Sequence, residues 1–479
     1  MTTEASILPY QMTTCTHSKT SMRIAVIAIL LSLSLSSLSS ARGQQNPPEP
    51  RHEELLNGLR VLIWSQPTNV NVTVALRIHS GAAFDLAGKS GTMALLADQL
   101  FPDPETHDFF VEELGGNLQV TVDYDAMNIT MTGRASEFER MLEILRTALI
   151  STPVTTSTVA RLREARIKAN REMSMSPPFI ADRAIARRLF GDYPYGQPII
   201  GTPETLVRID RADLLLARER FHNPDNGTLV VIGGVQETRA LRALRQLLGA
   251  WRKSDKVAPS TFRMPDNPDA RTLIVDIPSA EDAEVRMAIR SLPRSDRDQL
   301  VVALLTLLTR DRWRAALPDL DHNAFYVRDE SYFLSGMFVL GASVRTKETG
   351  KVIETGRNIF HGFVDSPPTS EELERVRNEL VLLLTKGLDK PATIADMWLD
   401  AESYKLPSIA DQVRALKKIT PTDVQRVAVR LFRDASLASV VVGNSTLIKP
   451  DLERSVKVEI PGANRETAPP AVVTPSKNP

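Results

Sequence analysis

Thr228-Leu229-Val230-Val231-Ile232-Gly233-Gly234 and Ala438-Ser439-Val440-Val441-Val442-Gly443 decide the fold, because they are one strand written twice. Each is a short run of β-branched and aliphatic residues stopped by glycine, which is how a strand reads. Upstream of each lies a helical segment of matching pattern: Val159-Ala160-Arg161-Leu162-Arg163-Glu164-Ala165 in one case and Glu372-Leu373-Glu374-Arg375-Val376-Arg377-Asn378 in the other. A repeated order of strands and helices implies two tandem homologous domains of about 200 residues. Each is an α+β layer in which a mostly antiparallel sheet is packed by helices.

Working outward, Asn57-Gly58-Leu59-Arg60-Val61-Leu62-Ile63-Trp64 reads as a turn into a strand, and Val72 to Ile78 alternates as a second strand. Two helices follow. The strands Asn117 to Asp123 and Ala126 to Thr132, separated by Tyr124-Asp125, read as a hairpin. Ser136 to Leu149 and Thr158 to Met173 have helical periodicity, and Ser176-Pro177-Pro178 reads as a break. The second half repeats the order, with strands at Arg271 to Ile277, Glu284 to Leu292, Phe325 to Tyr332 and Ser335 to Ser343. This divides the chain into a leader over 1–43, a linker over 44–52, a first domain over 53–250, a linker over 251–270, a second domain over 271–447 and a disordered tail over 448–479.

With 479 residues and 42% hydrophobic content, the chain can bury several cores. Lys+Arg and Asp+Glu are 58 each, which leaves no global field for nucleic acid or an anionic membrane. The run Arg161-Leu162-Arg163-Glu164-Ala165-Arg166 reads as a solvated helix face. Near the start, Arg23 precedes the apolar run Ile24 to Leu31, which passes into serines and then Ser39-Ser40-Ala41. The run is short and serine-laden for a membrane span, so it reads as a cleavable export signal, with an uncleaved anchor as the other reading and either Met1 or Met22 as the start. The expectation is a periplasmic or secreted protein with no membrane span after cleavage. Cys15 is the sole cysteine and lies within the leader, so the mature chain has no thiol for disulfides or thiolate zinc sites.

Four landmarks stand in a fixed order: Asn57-Gly58-Leu59-Arg60-Val61, Leu114-Gly115-Gly116-Asn117, Tyr195-Gly196-Gln197-Pro198-Ile199-Ile200-Gly201, and Phe221-His222-Asn223-Pro224-Asp225-Asn226-Gly227. In this order and spacing, over roughly residues 53 to 445, they resemble the pitrilysin/insulinase-like metallopeptidases. The resemblance implies two homologous domains that form a clamshell around an unfolded peptide. It also implies a helix bearing the inverted zinc motif H-x-x-E-H, where i and i+4 histidines grip one zinc and the glutamate is the general base. That helix falls on Ser90 to Phe101, and the motif positions hold Ala94, Ala97 and Asp98. Glu172 stands where the third ligand is expected, either as a remnant ligand position or as a surface charge. The family's substrate-holding arginine and tyrosine fall on His322 and Tyr326.

The chain is therefore expected to carry a peptidase's body without its zinc, its general base or any other cofactor. Members of this kind are non-catalytic subunits of two-subunit processing peptidases, so the expected partners are an active homologous zinc peptidase, in a heterodimer, and an extended peptide. The candidate peptide-binding edge is Asn117-Leu118-Gln119-Val120-Thr121, with the Gln119 amide as one of its donors. Two other readings stay open: an envelope scaffold with no peptide role, and an active metallopeptidase with a non-standard site. His79, at the end of a strand, is a further candidate functional residue, and His107 reads as a solvated histidine.

Overall fold

The computed structural model describes residues 49–254, 262–263, 265–321 and 324–460. The leader over 1–43, most of the tail and His322 lie outside the described residues. The strands are β1 (Arg51–Glu54), β2 (Arg60–Ser65), β3 (Asn71–Ile78), β4 (Asn117–Val122), β5 (Met127–Arg134) and β6 (Gly227–Gly233), then β7 (Thr272–Asp276), β8 (Asp282–Arg290), β9 (Phe325–Glu330), β10 (Met337–Arg345), β11 (Ala438–Gly443) and β12 (Val458–Glu459). The first half carries helices α1 (Thr92–Leu100), α2 (Glu105–Glu112), α3 (Phe138–Arg146), α4 (Thr156–Met173), α5 (Pro177–Phe190), α6 (Pro203–Leu206), α7 (Arg211–Phe221) and α8 (Glu237–Leu248). The second carries α9 (Gln299–Ala315), α10 (Thr349–Asp365), α11 (Ser370–Thr385), α12 (Pro391–Tyr404), α13 (Ile409–Leu416), α14 (Pro421–Phe432) and α15 (Ser445–Leu452). No helix among the described residues is long and apolar enough to cross a membrane.

Each half builds one six-stranded sheet, in the orders β1-β2-β6-β3-β5-β4 and β12-β7-β11-β8-β10-β9. Strand for strand β2-β6-β3-β5-β4 corresponds to β7-β11-β8-β10-β9, so the repeat read from the sequence is a repeat of topology. Both sheets are mixed: β2 runs parallel to β6, β7 runs parallel to β11 and β12, and the other pairs are antiparallel.

The central strands show no polar alternation because both of their faces are buried. In β6, Leu229 and Val231 join the core formed with the first half's own helices. Its other face, Val230 and Ile232, packs with Leu62 and Ala75 against Ile394, Ala395 and Leu399 of α12, a helix from the second half. The exchange is reciprocal. Ala181, Ile185 and Leu189 of α5 cover Ala288, Val339, Val440 and Val442 of the second sheet. Polar ties cross the same boundary: Arg77 of β3 to Asp400 of α12 at 2.7 Å, and Arg286 of β8 to Asp182 of α5 at 2.7 Å. Asp125, at the tip of the β4–β5 hairpin, accepts from the Tyr404 hydroxyl at 2.9 Å and the Phe333 amide at 2.6 Å. The halves thus form one packed body, and the clamshell is a pairing of two sheets rather than a hinge within this chain.

Three stretches differ from the sequence reading. Residues 44–52 are not all linker, because Arg51 and His52 belong to β1, which pairs with β2. Its sequence, Arg51-His52-Glu53-Glu54, is polar throughout, so the pairing is set by the open edge of β2 and not by apolar pattern. The second domain runs past 447 into the expected tail. α15 holds Pro450 inside it, yet it is capped by the Asn444 side chain and pinned by buried Ile448 and Leu452. β12 then adds a parallel strand to β7. Ser176-Pro177-Pro178 does punctuate the chain after α4, which ends at Met173, but its prolines also open α5, a helix the sequence reading did not place, since proline at the first helical position fits the helix and lacks only an amide that would be unpaired there.

Ile185 is 0% exposed and belongs to one half while packing on the sheet of the other. Ile185→Ala is expected to cost about 2–5 kcal/mol. Urea unfolding should show a lower midpoint with one transition for both halves; two separated transitions in the wild-type chain would show that the exchanged helices do not couple them.

Candidate functional site

α1 is buried on nearly every side, with Asp98 the one position of Thr92–Leu100 outside the buried set. Its start is held by Asp85, which accepts from the amides of Gly91 at 2.7 Å and Met93 at 2.9 Å. Those amides are the unpaired donors of a helix N-terminus, and a carboxylate there also meets the positive end of the helix dipole. Burial opposes them and pushes the Asp85 carboxyl up to about 7. The Tyr195–Gly201 landmark ends against the same helix start. Gly201 has φ 76, and a Cβ there would lie 2.5 Å from the Ser90 carbonyl oxygen, so glycine allows the close approach.

The motif positions face α4. Ala94 and Ala97 are buried at 3% and 5% exposure, and the side chain of Asp98 is 34% exposed. Against them lies Arg166. Its Nε donates to Asp98 Oδ2 at 2.8 Å, and its Nη2 donates to Asp98 Oδ1 at 2.7 Å and to the Ala94 carbonyl oxygen at 3.1 Å. This is a bidentate fork on a carboxylate with a third bond one helical turn back, so the guanidinium spans the face on which i and i+4 ligands would project. Burial raises the Asp98 carboxyl while Arg166 pulls it down. Arg163 also turns inward, to the Ile209 carbonyl at 3.0 Å, and buried Asn170 donates to the Gly201 carbonyl at 2.7 Å. The expected solvated face at Arg161 to Arg166 is corrected accordingly: its 163 and 166 positions lie on the packed face, where each guanidinium finds an oxygen partner.

Glu172 is not brought to this place. It is exposed, and six residues beyond Arg166 it points about 120° away around the helix. Zinc in protein sites takes imidazole, thiolate and carboxylate ligands in a tetrahedral set. Two alanines, a carboxylate already held by a guanidinium and a remote Glu172 do not fit it. Among the described residues, no group of three or more His, Cys, Asp or Glu could hold a metal ion.

The proposed peptide edge lies at β4, which ends its sheet and pairs only with β5. The phase of the ladder decides which groups are free. Asp123 N donates to Ala126 O at 2.9 Å, so the bonded pairs continue at Thr121·Asn128, Gln119·Thr130 and Asn117·Thr132. The Ala135 amide bonded to Val70 O fixes the same phase from the β3 side. Gln119 is therefore not an edge donor, because its amide faces β5. The outward main-chain groups belong to Leu118, Val120 and Val122. One of these is covered, since His107 Nδ1 lies 3.2 Å from the Leu118 carbonyl oxygen.

Tyr326 is committed elsewhere. Its ring lies under Arg286 and Arg328, 5.2 and 5.0 Å from the guanidinium carbons, and its hydroxyl meets Asp182 at 3.3 Å. His79 is tied at both nitrogens, to Thr228 Oγ1 at 2.9 Å and Ser403 Oγ at 3.3 Å. Burial, then the charges of Arg60, Arg77 and Lys405, hold its pKa down to about 3, so it is a neutral strut between the halves. Sequence reasoning missed Arg166, although its i+4 partner Asn170 and the apolar Val159 mark the packed face of α4.

Two topologically matching mixed sheets with exchanged helices, and a buried motif helix between landmark loops, make up a two-domain body. Residues 60–203 match the family described as Insulinase (Peptidase family M16), and residues 208–380 match Peptidase M16 inactive domain. The chain belongs to the M16 peptidase family. It is 20% identical over 413 residues to an uncharacterized zinc protease of Rickettsia bellii, covering 82% of this chain and 97% of that protein. It is likewise 20% identical over 426 residues to a probable mitochondrial-processing peptidase subunit beta of Schizosaccharomyces pombe, covering 83% and 92%. The crystal structure of a peptidase M16 inactive domain from Pseudomonas fluorescens matches with a TM-score of 0.73 at 17% identity, over 82% of this chain and 98% of that one. At such identities the structural likeness establishes the fold alone.

The Arg166 fork yields a test. Ala94→His, Ala97→Glu and Asp98→His together rebuild the motif but leave a cation on its face. Adding Arg166→Glu should strengthen zinc binding by about tenfold or more, read by equilibrium dialysis with elemental analysis. Equal zinc uptake by the triple and quadruple variants, both folded by circular dichroism, would show that Arg166 does not block the site.

Proposed function

We propose that this chain is a secreted or periplasmic non-catalytic member of the M16 family, acting as the peptide-binding or structural subunit beside an active zinc peptidase. The observation that carries this reading is the Arg166 fork on Asp98 and Ala94, which puts a fixed cation where the metal's ligands would project. The likeness to a protein named as a processing-peptidase subunit supports the partner role. Support for peptide binding comes from β4, an edge strand whose Val120 and Val122 main-chain groups can extend the sheet by one added strand.

The purified mature chain should contain far less than one zinc per molecule, whereas stoichiometric zinc by elemental analysis would reject the non-catalytic reading. Mixing with an active homologue should give a stable complex on size exclusion that cleaves peptides faster than the homologue alone, through better positioning of the substrate. Val120→Pro removes an outward amide without breaking a β4–β5 bond. One net hydrogen bond is worth about 0.5–1.5 kcal/mol, so peptide affinity should fall roughly two- to tenfold. Unchanged affinity in Val120→Pro, with no complex formed, would overturn the proposal.

A further inference from the structure

A cleft of ≈ 1150 Å³ opens between α5, the 82–90 loop and the end of β9. It is separate from the β4 edge, and the inference drawn from it does not rest on peptide binding there. We propose that this cleft binds an apolar carboxylate, a hydrocarbon body with one anionic head, and that Arg183 holds the head.

The wall is largely apolar, with Ala82, Phe179, Ile180, Ile199, Phe262 and Met337 among the lining. Its charged groups are already used, with one exception. Asp182 pairs with Arg286 at 2.7 Å and Arg328 at 3.3 Å, Glu330 pairs with Arg328 at 2.5 Å, and Asp192 pairs with Arg187 at 2.8 Å. Asp85 is taken by the amides of α1. Arg183 alone among the charged lining residues described has no hydrogen bond or ion pair; its guanidinium carbon lies 5.6 Å from the centre of the Phe179 ring. Burial pulls its pKa down, and Glu204, exposed and not bonded to it, pulls the other way.

A partly desolvated guanidinium that no protein carboxylate or carbonyl holds is unfavourable, and its planar fork of N–H donors matches a carboxylate bidentately. One cation selects one negative charge, which disfavours phosphomonoesters. The remaining wall offers little free polar surface for the main chain of a peptide running through it. A hydrocarbon tail needs none, and a short apolar chain end brings only its last few amides. The class is therefore set by an apolar body and a single carboxylate, whether from a fatty acid or from an apolar peptide C-terminus.

Calorimetric titration of the whole chain should use dodecanoate, dodecyltrimethylammonium as the same tail with the opposite charge, and the apolar peptide acetyl-Ala-Leu-Leu as free acid and as amide. The expected result is saturable one-to-one binding of dodecanoate, or of the free-acid peptide, and not of the cationic or amidated counterpart. Whichever acid binds identifies the source of the carboxylate. Arg183→Gln should weaken that binding about tenfold or more, and Arg183→Lys less. Arg187→Gln, whose guanidinium is committed to Asp192, should bind as the parent does. Because Arg183 supports no other residue by hydrogen bond, its variants should melt within a few degrees of the parent. Failure of both acids to saturate below millimolar concentration, equal binding of the charge-reversed tail, or full affinity in Arg183→Gln would each overturn the proposal.

Discussion

Burial of both faces of β6 and β11 is the constraint from which the rest of the structure follows. Each sheet is covered on one side by its own helices and on the other by a helix supplied from the opposite half. Turning the halves apart would strip α5 from Val440 and Val442 and α12 from Val230 and Ile232, exposing apolar surface at roughly 25 cal/mol per Å². It would also take Asp182 from Arg286, whose side chain is 2% exposed, and leave that buried guanidinium with Glu284 of its own strand as its one carboxylate partner. The body therefore moves as one piece. Enclosing a peptide takes a second body facing this one, which is a physical reason for a member of this architecture to work with a partner.

The same rigidity explains why the motif helix matters beyond the residues it carries. α1 is held at its start, where Asp85 accepts from two of its amides and Gly201 packs against it without a side chain. What faces it from α4 is consequently a fixed part of the site. A dication about 4 Å from a guanidinium meets a repulsion on the order of 8 kcal/mol at an effective dielectric of 20. Structural zinc binds with about 10–16 kcal/mol, so such a cation would cancel much of the affinity of a complete ligand set. With a single carboxylate present, already satisfied, nothing remains to favour zinc there.

How far the sequence could be read depended on the range of the interactions. The two halves, the hairpin around Tyr124-Asp125 and the central strands were legible because local apolar runs and turns carry them. β1 was not, since four polar residues owe their pairing to the open edge of β2. The opening of α5 was hidden because proline marks both breaks and helix starts, and only the contacts of Ile185 and Leu189 with the other sheet tell them apart. At the site, the alanines at 94 and 97 could be read from the motif spacing. Arg166 could not: whether an arginine on an alternating-charge helix is solvated or turned inward depends on what lies opposite, here an aspartate 68 positions away in the chain.

The edge strand shows the same division at atomic scale. That β4 lies at the rim of its sheet follows from topology, but which amides are free follows from the ladder's phase, and the Asp123–Ala126 bond at the hairpin tip sets it. Shifting that bond by one residue would turn the Gln119 amide outward and the Val120 amide inward. In the observed phase, Leu118, Val120 and Val122 point their side chains toward the core while their main-chain groups face out, so the exposed side chains of Asn117, Gln119 and Thr121 stand on the other face of the strand. An added strand would thus gain its hydrogen bonds from residues whose own side chains are anchored in the protein. Selection among added strands would fall to Asn117, Gln119 and Thr121, whose exposed side chains would be the cross-strand neighbours of the incoming ones.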